Sequence, residues 1–203
     1  MNKSKSRFIV LIALLCALLL SSCSTVSRVE VGSKGDLTGD WNEIDVALVC
    51  DDVINELLKS PAMNTWSNSH KGKVPVIRVA TYRNESHDHL DTSIVTDKMQ
   101  ESIMNSGRAY FAANREDLGD INAELEYGLD NAAFGTAKSI GNQAAVDFVL
   151  QGSVKTIVQK NGNKEVKTYY VKTQLTDVES GIIVWQNTND TISKYIKSNS
   201  VRW

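Results

Sequence analysis

The sequence predicts an α/β domain in which helices pack on a mixed β-sheet that ends in a C-terminal antiparallel meander. Three observations lead to this fold class. Apolar residues recur at helical spacing on both sides of a short strand rich in β-branched residues. The order strand, helix, strand predicts a right-handed parallel crossover. The C-terminal part contains three long strand candidates connected by turn sequences, which is typical of a meander.

The first helix is predicted to begin near Asn42, whose side chain can accept hydrogen bonds from the amides of the first turn. It ends before Pro61, because the residue that precedes a proline avoids helical backbone angles. One face of this helix is apolar and consists of Val46, Val49, Cys50, Val53, Ile54 and Leu57. We expect the Cys50 thiol to be buried and inert on that face. The polar residues 62–72 are predicted to form a loop.

The next segment predicts a strand, a helix and a second strand. Residues 74–82 are short and β-branched, which indicates a largely buried strand. A helix then begins at Asp91 or Thr92 and ends at Gly107, since glycine is favoured just after the last helical turn. Residues 109–112 form the second strand.

Two further helices are predicted before the meander. Residues 115–129 carry leucine and isoleucine at helical spacing, with acidic residues between them. Residues 136–140 form a short helix that closes near Gly141.

The meander consists of strands 146–158, 165–176 and 182 to about 196. The first turn contains Asn161 and Gly162, a pair that tolerates the positive φ of a hairpin, and the second contains Gly181. In the middle strand the sequence does not decide which of two alternating sets of residues lies on the covered face of the sheet. One set begins at Val166 and the other at Lys167, and the sheet is expected to be covered on both sides at one end only.

The N-terminus carries a targeting signal. Lys3, Lys5 and Arg7 precede an uncharged apolar run over residues 8–20, which is too short to span a bilayer comfortably. The residues Leu20-Ser21-Ser22-Cys23 that follow resemble the bacterial lipoprotein signal. The resemblance implies that residues 1–22 are removed and that Cys23 carries a diacylglycerol and an N-acyl chain. The alternative is an ordinary cleaved signal with a cysteine nearby.

The mature chain is acidic and has one internal thiol. The whole chain has 22 Lys and Arg against 24 Asp and Glu, and residues 1–22 remove three cations and no anions. The remaining net charge of −5 argues against a nucleic-acid partner. Without Cys16 and Cys23, only Cys50 remains, so no internal disulfide can form. Residues 23–39 are predicted to be the lipid anchor and a flexible tether, and residues 40–198 the α/β domain.

The sequence offers little catalytic chemistry. His87-Asp88-His89, with His70 as a remote partner, is a weak metal-site candidate, and we predict a solvated loop there instead. Charged residues on predicted helices are expected to be exposed rather than catalytic; they are Asp51, Asp52, Glu124 and Glu126. Motifs for a nucleophile elbow, a phosphate loop or a zinc protease are absent from the sequence. We therefore predict a protein without enzymatic activity, metal or cofactor.

The candidate partner-binding residues are Arg83, Asn84, Glu85 and Ser86. They follow the first strand, where mixed α/β sheets usually present binding groups. The alternative is that Asn84 only satisfies a turn.

Several motifs resemble the LpoB family of lipoproteins that activate bifunctional penicillin-binding proteins. The likeness covers roughly residues 39–191. The motifs, in chain order, are Trp41-Asn42, Val76-Ile77-Arg78-Val79, Arg83-Asn84-Glu85-Ser86, Leu90-Asp91-Thr92, Ser106-Gly107-Arg108, the segment from Ala145 to Val154, the segment from Leu175 to Gly181, and Val184-Trp185. The segment from Asp147 to Gly152 is also similar to the TolB N-terminal domain and to the curli secretion lipoprotein CsgG.

The resemblance implies a TolB N-terminal-like fold, an outer-membrane anchor facing the periplasm, and stimulation of a peptidoglycan synthase by a monomer without catalytic residues. One departure stands out, because the family's best-known members have a long proline-rich tether and residues 23–39 contain no proline. An inner-membrane anchor therefore stays open. So does the alternative of a structural or secretion-associated envelope lipoprotein of the CsgG or TolB kind, which would oligomerise.

Overall fold

A mixed sheet of seven strands organises the domain. The computed structural model describes residues 39–114, 117–139, 141 and 143–197, all of which belong to the unit Asp36–Trp203. The predicted signal peptide, Cys23 and the tether up to residue 38 lie outside the described residues. So do Arg115 and Ile140, where two of the predicted helices begin and end.

The central pair of the sheet is a long antiparallel hairpin, β4 and β5. On one side of it, β1 and β2 both run parallel to β4, and β3 runs parallel to β1. On the other side, β6 and β7 both run antiparallel to β5. The strands are β1 Val76–Val79, β2 Arg83–Asn84, β3 Tyr110–Phe111, β4 Phe148–Asn161, β5 Lys164–Asp177, β6 Ile183–Asn189 and β7 Ser193–Lys197. The predicted mixed sheet and the C-terminal meander are confirmed.

The helices are α1 Glu43–Lys59, α2 Pro61–Ser69, α3 Thr92–Ser106 and α4 Asp117–Asn131. The Asn42 side chain accepts hydrogen bonds from the amides of Ile44 and Asp45, as predicted for the start of α1. Asp91 caps α3 through the amide of Ser93, and Gly107 ends the helix with a φ of 63°. These boundaries were predictable because each one depends on side chains or glycines within a few residues of it.

The loop predicted for residues 62–72 is wrong over most of its length. Pro61 ends α1 but is also the first residue of α2. Proline suits this position because an amide there would have no hydrogen-bond partner within the helix, and because the fixed φ of proline is helical. The Ser60 hydroxyl accepts a hydrogen bond from the amide of Met63, which is buried. Trp66 packs edge-on to Phe148, with the ring centroids 6.0 Å apart.

Two other expectations also require correction. Residues 134–136 form a turn, and residues 137–139 are irregular rather than helical. Glycines with positive φ at 135 and 141 bracket this stretch, which is too short to repay helix nucleation. The strand predicted from 182 to 196 divides into β6 and β7. Asn189 causes the break, since its side chain accepts hydrogen bonds from the amide and hydroxyl of Thr191.

The structure decides which face of β5 is covered. The buried set is Lys167, Tyr169, Val171, Thr173 and Leu175, which lies on the side of α1 and α3. The alternate set is half-buried along the strand, so the expected two-sided cover at one end is not seen along β5. On the covered side Tyr82 is buried and its hydroxyl lies 2.9 Å from that of Thr173.

The Cys50 side chain is buried in the core, as predicted. Burial raises the pKa of its thiol to about 12, and the charge of Asp51 adds to this effect. The thiolate is therefore scarce at neutral pH, and the inert character expected for Cys50 has a physical basis. Among the described residues, none of the helices combines the length and the apolarity that crossing a membrane requires.

Candidate partner-binding site

The four predicted binding residues lie where the chain leaves the sheet beside β4. Arg83 and Asn84 form β2, opposite Ser153 and Val154. The amide of Glu85 continues the ladder with a 2.8 Å hydrogen bond to the carbonyl of Val154. The loop of residues 84–90 is therefore fixed to the centre of the sheet at its first end.

The Asn84 side chain holds this loop in shape from within. Its amide donates to the carbonyls of Asp88 at 2.8 Å and Leu90 at 3.4 Å. Its oxygen accepts hydrogen bonds from the amide of Ser86 at 3.0 Å and from the Ser86 hydroxyl at 2.6 Å. Because these bonds use both ends of the Asn84 amide group, its direct effect is on the conformation of the loop.

Arg83 and Glu85 are the two charged members of the set, and both are exposed. The Arg83 side chain is 77% exposed, and its Nε lies 3.4 Å from a Glu85 oxygen. The other Glu85 oxygen lies 3.1 Å from Nζ of Lys155 on β4. The hydrogen bond from Lys155 holds the pKa of Glu85 below its usual value. This surface therefore presents two cations around one carboxylate, and its arginine is largely free to contact a partner.

The second end of the loop is fixed by Asp88, which sequence reasoning considered only as part of a histidine cluster. One Asp88 oxygen lies 2.8 Å from Nζ of Lys167, and the other accepts a 2.6 Å hydrogen bond from the Tyr169 hydroxyl. Lys167 also contacts Asp40, at 3.0 Å. This network ties the loop to β5 and to the segment that leads into α1.

The charges in this network support one another. Burial alone would raise the pKa of Asp88, but the hydrogen bonds from Lys167 and Tyr169 outweigh it and lower the pKa. Burial alone would likewise lower the pKa of Lys167, whereas its hydrogen bonds to Asp88 and Asp40 raise it. Burial and the contact with Asp88 raise the pKa of Tyr169. Asp88 and Lys167 are therefore both charged, and the tyrosine neutral, at neutral pH.

An apolar cleft of about 300 Å³ lies next to the loop, between the first turns of α1 and α3. Its lining includes Trp41, Val46, Leu90, Ile94 and Val95. The Trp41 ring packs edge-on to Tyr169, with centroids 5.1 Å apart. Tyr169 therefore contacts both the cleft, through Trp41, and the loop, through Asp88. The indole Nε1 of Trp41 is buried and has no hydrogen-bond partner among the described residues. The cleft can accept an apolar side chain.

The other candidate residues have structural neighbours. His70 stacks on Trp66 with centroids 4.1 Å apart, and a His87 ring nitrogen lies 3.3 Å from the Thr156 hydroxyl. His89 lines the apolar cleft. In the part of the chain that the structure describes, no three His, Cys, Asp or Glu side chains are grouped to hold a metal ion.

The acidic residues predicted to be exposed rather than catalytic are exposed, at Asp51, Asp52, Glu124 and Glu126. Asp51 accepts a hydrogen bond from Ser102 at 3.0 Å, and Asp52 accepts one from Asn189 at 2.7 Å. These two carboxylates connect α1 to α3 and to the end of β6.

Sequence reasoning selected this loop as the candidate site but missed the contacts that stabilise it. One sequence signal for this network was available, because Lys167 lies on the same face of β5 as Val171 and Leu175. A lysine among apolar residues of one strand face indicates a buried acidic partner. The assignment of Arg83, Asn84, Glu85 and Ser86 to partner binding stays a prediction.

The described geometry is that of a mixed α/β domain whose candidate site is a braced surface loop beside an apolar cleft, as suits a binding protein. The family model described as the peptidoglycan-synthase activator LpoB matches residues 45–191. This match extends from the first turn of α1 to just beyond β6, and the chain therefore belongs to the LpoB family. The resemblance inferred from the sequence is confirmed.

Several solved structures are similar to this chain at low identity. The LpoB C-terminal domain from Salmonella enterica is 16% identical, with a TM-score of 0.43, covering 76% of this chain and 99% of that one. The corresponding Escherichia coli domain is 13% identical, with a TM-score of 0.42 and the same coverage. The lipoprotein GNA1162 from Neisseria meningitidis is 19% identical, with a TM-score of 0.35, covering 63% of this chain and 87% of that one. Curated protein sequences yield no significant match.

Proposed function

We propose that this chain is a lipid-anchored envelope protein that binds a bifunctional penicillin-binding protein and raises its activity. The observation that carries the proposal is the match of residues 45–191 to a family of peptidoglycan-synthase activators. The activator acts by binding, without a reaction of its own and without metal or cofactor, as expected for a regulatory family.

The loop of residues 84–90 and the neighbouring cleft are the proposed docking surface. A loop that is already ordered loses little conformational entropy when a partner binds, so more of the contact energy appears as affinity. Arg83 supplies an exposed planar cation, a group that is common among energetically important interface residues. The cleft supplies an apolar pocket of the kind that accepts a partner's anchoring side chain.

The anchor in this proposal is Cys23. Two or more acyl chains hold a protein on a membrane, whereas one gives only marginal binding. The domain, residues 40–198, then works as a monomer at the periplasmic face of the outer membrane, and an inner-membrane anchor is the alternative. The 17 residues 23–39 reach about 60 Å at most when fully extended, so the domain acts near its membrane.

The test uses the full chain and the detergent-solubilised bifunctional penicillin-binding protein of the same organism. We expect direct binding, faster glycan polymerisation and faster cross-linking. Arg83→Ala is expected to weaken binding by about tenfold, the loss of one well-placed interface arginine. Arg108→Ala, an exposed arginine just after α3, is the matched control and is expected to bind like the wild type.

Asn84→Ala tests the loop from within. This substitution is expected to weaken binding by loosening residues 84–90, with the domain still folded. Wild-type affinity in both the Arg83 and the Asn84 variants would remove this loop from the binding surface. Failure of the wild-type chain to bind or stimulate the synthase would overturn the proposed function itself.

The short proline-free stretch 23–39 favours one alternative function, a structural or secretion-associated envelope lipoprotein. Such a protein would form a ring or join a larger complex. Mass measurement of the purified chain separates the two functions, because the proposed activator is expected to be monomeric.

A further inference from the structure

Helix α4 contributes no buried side chain to the core. It has 15 residues, and none of them is buried. Its apolar residues Leu118, Ile121, Leu125 and Leu129 nevertheless share one stripe at helical spacing, and Ile121 and Leu129 are 40% and 53% exposed. Helices of this length are marginal in water unless an apolar face is packed. The described residues of the chain leave this stripe open, which indicates that a partner molecule packs on it.

A groove of about 300 Å³ runs beside this stripe, along the β3 edge of the sheet. Val76 and Arg78 of β1 and Tyr110 of β3 line one wall, and Leu118 and Ile121 line the other. Nε of Arg78 donates to the carbonyl of Ala113 at 3.3 Å, so this arginine helps to shape the wall. Tyr110 is 66% exposed and extends the apolar wall toward solvent. We call α4 and this groove the α4 surface.

The charge of α4 selects the kind of partner that fits. The helix contains five carboxylates and no lysine or arginine; the acidic residues are Asp117, Asp120, Glu124, Glu126 and Asp130. None of them forms an ion pair with another described residue. Two copies of this surface would bring like charges together, and an anionic lipid surface would be repelled. A protein segment with lysine or arginine beside apolar side chains would meet an opposite charge and fill the groove.

We propose that the α4 surface docks a cationic amphipathic helix or segment of the peptidoglycan synthase, an inference that rests on the proposed function. The segment lays its apolar face on the α4 stripe and into the groove, as amphipathic helices do in other grooves. Its cations flank the carboxylates of α4. This contact is separate from the loop of residues 84–90.

The experiment measures the affinity of the full chain for the solubilised synthase at low and at high ionic strength. Glu124→Lys/Glu126→Lys reverses two exposed charges on α4. Asp97→Lys/Glu179→Lys is the matched control, since it reverses two exposed carboxylates elsewhere and changes the net charge equally. Ile121→Gln/Leu129→Gln tests the apolar stripe. Because α4 has no buried residue and the two control carboxylates are exposed, all these variants are expected to unfold at the wild-type temperature.

The Glu124/Glu126 variant is expected to bind about tenfold more weakly at low salt, with a reduced dependence on ionic strength, while the control binds like the wild type. The Ile121/Leu129 variant is expected to bind more weakly at both salt concentrations. Wild-type affinity in both α4 variants would refute docking at the α4 surface while leaving synthase binding intact. Equal losses of affinity in the α4 and the control charge variants would refute it as well. Absence of binding by the wild-type chain would overturn the proposed function and this inference with it.

Discussion

Replacing Gly152 with alanine should destabilise the domain, because the sheet leaves no room for a Cβ atom there. Gly152 lies in the middle of β4, opposite Thr173 of β5. A Cβ at this position would collide with the carbonyl oxygen of Lys172 and with the ring of Tyr82. The first obstacle is backbone in a fully paired strand. The second is a buried side chain whose hydroxyl pairs with Thr173, so neither can move freely.

The cost can be worked out from these contacts. Overpacking of a core typically costs about 1–3 kcal/mol. Displacing the Tyr82 ring also weakens its buried hydrogen bond, worth about 1 kcal/mol. Alanine also lowers the conformational entropy of the unfolded chain, which stabilises the folded state by roughly 0.4–1 kcal/mol and offsets part of the loss. We therefore expect Gly152→Ala to lower the free energy of unfolding by about 1–3 kcal/mol, and Tm by about 2–4 °C for each kcal/mol.

The assay is urea unfolding followed by circular dichroism, with a glycine in α4 as the control. Gly119 has no atom within 4 Å of the position that a Cβ would take. Gly119→Ala should therefore raise the helicity of α4 and stabilise it by roughly 0.5–1 kcal/mol. A loss of less than about 0.5 kcal/mol in Gly152→Ala would refute the steric argument, since overpacking must cost more than that. Tyr82→Leu offers a second check, because it removes one of the two obstacles and should reduce the penalty of Gly152→Ala.

Two further predictions concern buried charges. Lys194→Met should cost about 3–5 kcal/mol in urea unfolding, because it removes the cation that pairs with Asp45, whose side chain is 8% exposed and lies 2.7 Å from Nζ of Lys194. Adding Asp45→Asn should recover much of that loss; a double variant as unstable as the single one would contradict the pairing. Asp88→Asn should cost about 1.5–3 kcal/mol at pH 7, the value of hydrogen bonds to a charged group. The folded-state pKa of Asp88 is lowered, so its contribution is present above the unfolded pKa near 3.9 and is lost as pH falls through the folded pKa. The difference between wild type and Asp88→Asn should therefore shrink below about pH 4, and a constant difference down to pH 2 would exclude the charge of Asp88 as its cause.

The predicted elements agree with the structure where the residues that determine an element's start or end lie within a few positions of it. The caps at Asn42, Asp91 and Gly107 are of this kind. The hairpin between β4 and β5 is also locally determined, because its turn contains Gly162, which has a φ of 60°. Pro61 is an exception among local signals, because a proline that ends one helix can also occupy the first position of the next.

The candidate site was only partly predictable for a different reason. The position of Arg83 after the first strand follows from chain order, and the structure places it beside β4. The role of Asp88 depends on Lys167 and Tyr169, which are about 80 residues away along the chain. Such pairings are decided when β5 joins the sheet, and no local pattern contains them.

The sequence by itself determined the α/β class, the caps, the meander and the family resemblance, because these depend on spacing and on short motifs. Tertiary structure decided which face of β5 is covered, how the loop of residues 84–90 is held, and that α4 is left without a buried face. The physical reason is the same in each case. Burial and ion pairing are properties of residues that meet across the sheet, and the sequence states their identities but not their distances.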